Sequence, residues 1–163
     1  MPSPERRILE ILQAPHPILT QRCVDAEPGP FAHALIRDMF ETCEAHHGLG
    51  LAAPQVGHAI RIVVVVGEPE GNGRRIWGML NPRITKRNGI KVETLEACLS
   101  IGHGKPRTRR MRSASVVVEG IDDDGTPMRI TAKGVHAFAW QHEIDHLEGR
   151  LLPIDVGGAV ARP

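Results

Sequence analysis

His142-Glu143-Ile144-Asp145-His146 is an HExxH pentapeptide. On a helix, residues i and i+4 lie one turn apart on the same face, so both rings can reach a single divalent metal. Glu143 sits a step around the helix, where it can contact water at that metal and act as a general base. The same five residues also arise by chance, as two satisfied or exposed helix histidines. The flanking sequence weighs against that reading. Val135, Phe138, Ala139, His142 and His146 fall on one face of a helix predicted over 135–147, with Gly149 as the cap just past its end. Imidazoles buried on an apolar face cost free energy unless something satisfies them.

A catalytic zinc or iron site usually takes a third protein ligand and leaves one position open for water. A metzincin pattern requires His at position 152, which is Leu152. A thermolysin-like Glu would fall beyond Pro163, and Asp155 is the one weak downstream choice. The third ligand is therefore expected upstream. Cys98 stands out there, in Leu95-Glu96-Ala97-Cys98-Leu99-Ser100, after a strand and before the flexible Gly102-His103-Gly104. A free cysteine is more often a small buried hydrophobe than a ligand, and His103 is a rival. Cys23 and Cys43 sit in less suggestive places.

These residues must be positioned by 163 residues that are 41% apolar, 24% charged and 3% aromatic, with 17 Gly and 13 Pro. That composition predicts a single turn-rich α+β domain over 1–163 with a core of Val, Ile, Leu and Ala. A formal charge of +1 disfavours a dedicated nucleic-acid binder. Three widely spaced cysteines argue against a disulfide framework. The start lacks a signal-like apolar run, and the longest aliphatic stretch, Ile62 to Val66, is too short to span a bilayer, so a cytoplasmic protein with no membrane association is expected.

Phe31, Leu35, Ile36, Met39, Phe40 and Cys43 recur at helical spacing, opened by Pro28-Gly29-Pro30 and closed by Gly48. Gly48 to Gly57, rich in small residues, reads as an irregular loop that feeds a buried strand over 60–66. Further strands are expected over 76–80, 91–95, 115–121 and 128–131. The last two flank Asp124-Gly125, the mark of a two-residue hairpin, so the sheets should be mostly antiparallel around the C-terminal HExxH helix.

Three segments together resemble a known family. Gly48-Leu49-Gly50-Leu51-Ala52-Ala53-Pro54-Gln55, Glu96-Ala97-Cys98-Leu99-Ser100 and Gln141-His142-Glu143-Ile144-Asp145-His146-Leu147 look like the three motifs of peptide deformylases, in order and with similar separation. The likeness begins at Pro15-His16-Pro17-Ile18-Leu19 and covers nearly the whole chain. It implies a metallohydrolase that removes the formyl group from the N-terminal methionine of formylated peptides or nascent chains. Cys98, His142 and His146 would hold one divalent ion, by resemblance Fe²⁺, with Zn²⁺, Ni²⁺ or Co²⁺ able to replace it. Glu143 would take a proton from water at that ion and later pass it to the leaving amine. The Gln55 side chain and the Leu99 N–H would stabilise the oxyanion. Gly48 and Gly50 would let an extended peptide approach the backbone, and Leu49 and Phe138 would receive the methionine side chain.

The chain departs from the family pattern at Ala97, usually Gly, and at Gly102, usually Pro. A methyl at 97 is expected to narrow the groove, and Gly102 to loosen the Cys98 segment. These departures keep an alternative open, a homologue with an altered N-acyl substrate or little activity. Another is a silent homologue whose metal only holds the fold. Val156-Gly157-Gly158-Ala159-Val160 does not read as helical, so the long C-terminal helix of one deformylase subclass, linked there with ribosome docking, is not expected. Arg107, Arg109, Arg110 and Arg112 suggest a weak ribosome contact, although a solvated strand edge explains them more simply, and one of them is a natural partner for Glu96. A monomer is expected.

Overall fold

In a computed structural model, residues 7–70, 73–102, 105–156 and 159–161 are described. His103, the rival ligand, lies outside them, as do Gly157 and Gly158. Helix α1 (Pro30–Ala45) starts after Gly29 with Pro30 in its first turn, where a missing N–H is harmless. Its left-handed terminal residue is His47, at φ 54°, and not Gly48 as the sequence suggested. The Gly48 N–H instead bonds the Cys43 carbonyl.

Strands β1 (Gly50–Ala52), β2 (Ile62–Glu70), β3 (Gly73–Arg87), β4 (Lys91–Glu96), β5 (Thr108–Ser113), β6 (Ser115–Ile121) and β7 (Pro127–Lys133) precede helix α2 (Gly134–Leu147), which is followed by β8 (Ile154–Val156) and β9 (Ala159–Ala161). A five-stranded antiparallel sheet runs β1-β2-β3-β6-β7, while β4-β5 and β8-β9 form separate pairs. The segment expected to be irregular contains β1 and a 3₁₀ turn over Ala53–Val56. The Asp124-Gly125 turn is a hairpin, but its loop has three residues. Asp122 N–H bonds the Thr126 carbonyl, Gly125 N–H bonds the Asp122 carbonyl, and Gly125 takes φ 87°.

Strand β2 is buried on both faces, which is why its β-branched residues run without alternation. Ile62, Val64 and Val66 pack with Ala32, Leu35, Met39 and Cys43 of α1. Val63 and Val65 pack with Ala137, Trp140, Ile144 and Leu147 of α2. The core face of α2 is thus Ala137, Trp140, Ile144 and Leu147. The face carrying Val135, Phe138, Ala139 and His142 lines an open groove. No helix among the described residues is long and apolar enough to cross a membrane.

The end of α2 is fastened to the sheet. Buried Arg61 bonds Glu148, the α2 C-cap, through Nη1 at 2.7 Å and the Pro82 carbonyl through Nη2 at 2.8 Å. Gly149 follows at φ 72°, and a Cβ there would lie 2.6 Å from the Thr20 carbonyl oxygen. Only glycine fits that closure.

Candidate active site

The HExxH residues and Cys98 come from distant parts of the chain and meet at one point. Cys98 Sγ lies 3.3 Å from His146 Nε2, across 48 residues of sequence. One donor atom each from Cys98, His142 and His146 falls within 4.8 Å of the others. Two donors bound to the same ion at 2.0–2.3 Å stand about 3.5 Å apart at a tetrahedral angle, so this S, N, N set fits a divalent cation.

The supporting groups fix how the donors point. His142 Nδ1 faces Glu96 Oε2 at 3.1 Å, which leaves the other ring nitrogen for the site. Arg112 grips Glu96 twice, Nε to Oε1 at 2.7 Å and Nη2 to Oε2 at 2.9 Å, and Asp145 Oδ2 through Nη1 at 2.6 Å. Burial would raise the Glu96 pKa, but Arg112 and His142 hold it well below the usual carboxylate range. Burial likewise opposes a charge on His142, yet Cys98 and Glu96 beside it prevail and push the ring up to about 10. Surroundings that favour a proton there also favour a metal cation in its place. For His146, burial and the neighbouring cationic groups push the pKa well below normal, keeping that imidazole neutral and able to ligate.

Sequence reasoning left open which arginine pairs with Glu96. The contacts assign it to Arg112, which bonds both Glu96 oxygens and reaches Asp145 of α2 from β5. Removing one member of a buried pair strands the others. Arg112→Ala is therefore expected to cost about 3–5 kcal/mol of stability. Urea unfolding should show this as a lower midpoint at unchanged slope. A second group had no assigned role in the sequence. Gln141 Oε1 accepts the Ser113 N–H at 3.0 Å and its Nε2 donates to the Ser113 carbonyl at 2.9 Å, clamping α2 to β5. Its place directly before His142 in the third motif was the available clue.

Glu143 is buried, and its Oε2 has no hydrogen-bond partner among the described residues. Burial pushes its carboxyl up to about 7. Gly50 makes room for it, since a Cβ at position 50 would lie 2.8 Å from Glu143 Cγ and Oε1. This steric need stands beside the strand-addition reason drawn from the sequence. At Gly48 a Cβ would crowd Cys43 Sγ and Leu99 Cδ1 at 3.0 Å.

Gln55 is also buried and held in place. Its Oε1 accepts the Ala52 N–H at 2.9 Å, and its Nε2 donates to Ser100 Oγ at 3.1 Å and stands 3.7 Å from Cys98 Sγ. The N-terminal segment braces the same loops. Leu12 N–H bonds the Gln55 carbonyl, Ala14 N–H bonds the Ser100 carbonyl, and Gln13 Nε2 reaches the Leu99 carbonyl at 2.9 Å. A cavity of about 800 Å³ opens over these groups, with Gly48, Leu49, Gly50, Ala97, Leu99 and Phe138 in its walls. Every expected site residue except His146 lines this groove, and His146 stands beside Cys98 at its floor. The other two cysteines lie outside the donor triad, Cys43 packed behind Gly48, and burial pushes Cys23 up to about 11 and Cys43 up to about 12, leaving both as inert thiols.

A Cys/His donor triad at the floor of a peptide-sized groove, with a buried carboxylate beside it, defines a metal-binding hydrolase site. Comparison with known proteins narrows the class, because the sequence model of the family described as polypeptide deformylase matches residues 8–156. Peptide deformylase 2 of Streptomyces coelicolor is 39% identical over 136 residues, covering 83% of this chain and 75% of that protein. The peptide deformylase of Ehrlichia chaffeensis, solved in complex with actinonin, superposes with a TM-score of 0.82 at 33% identity, covering 90% and 87% of the two chains. The Met-Ala-Ser-bound class I type b peptide deformylase of Acinetobacter baumannii gives 0.82 at 25% identity, covering 91% and 98%. The chain belongs to the polypeptide deformylase family and is a hydrolase of that family.

Proposed function

We propose that the chain removes the formyl group from N-terminal formyl-methionine of peptides and nascent chains in the cytoplasm, as a monomeric, single catalytic unit. The observation that carries this reading is the approach of Cys98 Sγ to His146 Nε2, at 3.3 Å, beside His142 and the buried Glu143. Cys98, His142 and His146 would hold one divalent ion, Fe²⁺ by family resemblance, with Zn²⁺, Ni²⁺ or Co²⁺ as substitutes. Such an ion supplies Lewis acidity, making water more acidic and the formyl carbonyl more electrophilic.

The chain's own groups do the rest. Glu143 accepts a proton from the attacking water as its oxygen bonds to the formyl carbon. Gln55 Nε2–H and the Leu99 N–H meet the charge growing on the formyl oxygen. As the C–N bond breaks, Glu143 returns its proton to the amine nitrogen, and formate and a free N-terminus leave. Leu49 and Phe138 receive the methionine side chain, while Gly48, Gly50 and Ala97 border the path of the peptide backbone.

Ionised Glu143 is the proton acceptor, so the rate should fall as pH falls through its pKa. Burial, only partly offset by the charges of His142 and Arg112, pushes that pKa up to about 7, and a metal cation beside it would pull the value down. An acid limb in kcat/KM at or below pH 7 is the expected profile. Thiolate ligation also makes an Fe²⁺ form vulnerable to oxidation. Activity should decay in air and persist when Ni²⁺ replaces iron, as a time course of formate release would show.

The alternative of an altered substrate or little activity is not favoured. A Cβ at Gly102 would meet nothing nearer than Lys105 Cγ at 4.0 Å, and Ala97 is exposed at the groove edge. A ribosome contact through the arginine cluster is the weaker partner reading, since Arg109 pairs with Glu93 and Arg112 is buried between Glu96 and Asp145. The direct test is formate release from formyl-Met-Ala together with metal analysis of the same sample. One equivalent of metal with turnover supports the reading, and bound metal without turnover would make the chain a silent homologue.

A further inference from the structure

The catalytic groove carries its charge unevenly. Three acidic residues line it, Glu93, Glu96 and Glu143. Glu96 is matched by Arg112, Glu143 is buried at the floor, and Glu93 on the rim accepts from Arg109 Nη1 at 2.7 Å. Two cations, Lys105 and Arg107, line the same cavity on the segment between the Cys98 loop and β5. Both are exposed, and neither has an anionic partner among the described residues. His46, His47 and Leu49, also in the lining, add no negative charge. A peptide lying here would therefore meet unmatched positive charge.

We propose that Lys105 and Arg107 make the groove selective for peptides that carry Asp or Glu in the first few residues after the methionine. This deepens the deformylase reading and rests on it. With the formyl carbon at Glu143 and the methionine side chain at the Leu49 and Phe138 wall, the following residues must run outward along the groove. A cavity of about 800 Å³ exceeds what one methionine side chain needs. An extended peptide advances about 3.3 Å per residue and turns alternate side chains to opposite walls. A guanidinium presents a planar fork of donors that suits a carboxylate, and the ammonium adds a second positive charge nearby.

The test uses the metal-loaded full chain and three formyl-Met tetrapeptides whose last three residues are all Glu, all Ala or all Lys. Exposed ion pairs are individually weak, so the Glu peptide should exceed the Ala peptide by about five- to tenfold in kcat/KM, through a lower KM, with the Lys peptide below both. Raising the salt should shrink that spread, because exposed charges are screened. The double variant Lys105→Glu/Arg107→Glu should reverse the order and favour the Lys peptide. Equal hydrolysis of the three peptides, a spread indifferent to salt, or an order that survives the charge reversal would overturn the selectivity. Failure to release formate from all three would instead remove the deformylase reading on which it rests.

Discussion

Glu143→Ala is expected to lower formate release from a formyl-methionyl peptide by about 10²–10⁴-fold, the range that a positioned general base contributes. The loss should fall on kcat rather than KM, because the carboxylate acts on the transferred proton and is not the main substrate contact. The donor set of Cys98, His142 and His146 remains in the variant, so metal content should stay at one equivalent. Stability should not fall with activity. The buried carboxylate has an unpaired oxygen and an elevated pKa, and removing such a group relieves a desolvation cost. Formate kinetics, metal analysis and a urea titration on the same preparation check all three expectations. A fully active variant would remove Glu143 from the chemistry.

Cys98→Ala should go further, because it takes away the thiolate donor and leaves two imidazoles. Metal should be lost on dialysis, and turnover should drop to background even when metal is added at modest excess. Stability should respond through linkage. Wild-type protein gains from whatever binds the native state alone, so chelation lowers its midpoint, whereas the variant's midpoint should be insensitive to a chelator. Thermal unfolding with and without chelator separates the two proteins. A variant that kept one equivalent of metal and most of its activity would show that sulfur is not a ligand.

The local parts of this architecture were legible in the sequence. HExxH on a helix, the start of α1, the bounds of α2 to within a residue, and the strand at Ser115–Ile121 follow from spacing and propensity over a few residues. Cys98 was different. Its meeting with His146 depends on tertiary packing across 48 residues, so its place in the chain left it in competition with His103 and only the three ordered motifs chose between them.

What stayed hidden has physical causes. Strand β5 carries Arg109, Arg110 and Arg112, and its inward position is filled by a guanidinium held between two carboxylates, so no apolar alternation marks it. Strand β3 was foreseen only over 76–80. Beyond that point its pairing with β6 shifts register between Leu80 and Arg83 and again between Ile84 and Lys86, and Asn81 sits at φ 54°. The core face of α2 was not legible because the helix is covered on two sides. Trp140, Ile144 and Leu147 face the core, while Val135 and Phe138 form the groove wall, and hydrophobicity alone does not distinguish a core from a pocket.

Titration of the metal-free protein with Co²⁺ tests the centre most directly, because a cysteine thiolate bound to cobalt gives a charge-transfer absorption that histidine and carboxylate ligands lack. The band should grow linearly to one equivalent per chain and disappear in Cys98→Ala, while Cys23→Ala and Cys43→Ala retain it. Binding without that band, or a band that persists when Cys98 is replaced, would contradict a metal held by Cys98, His142 and His146.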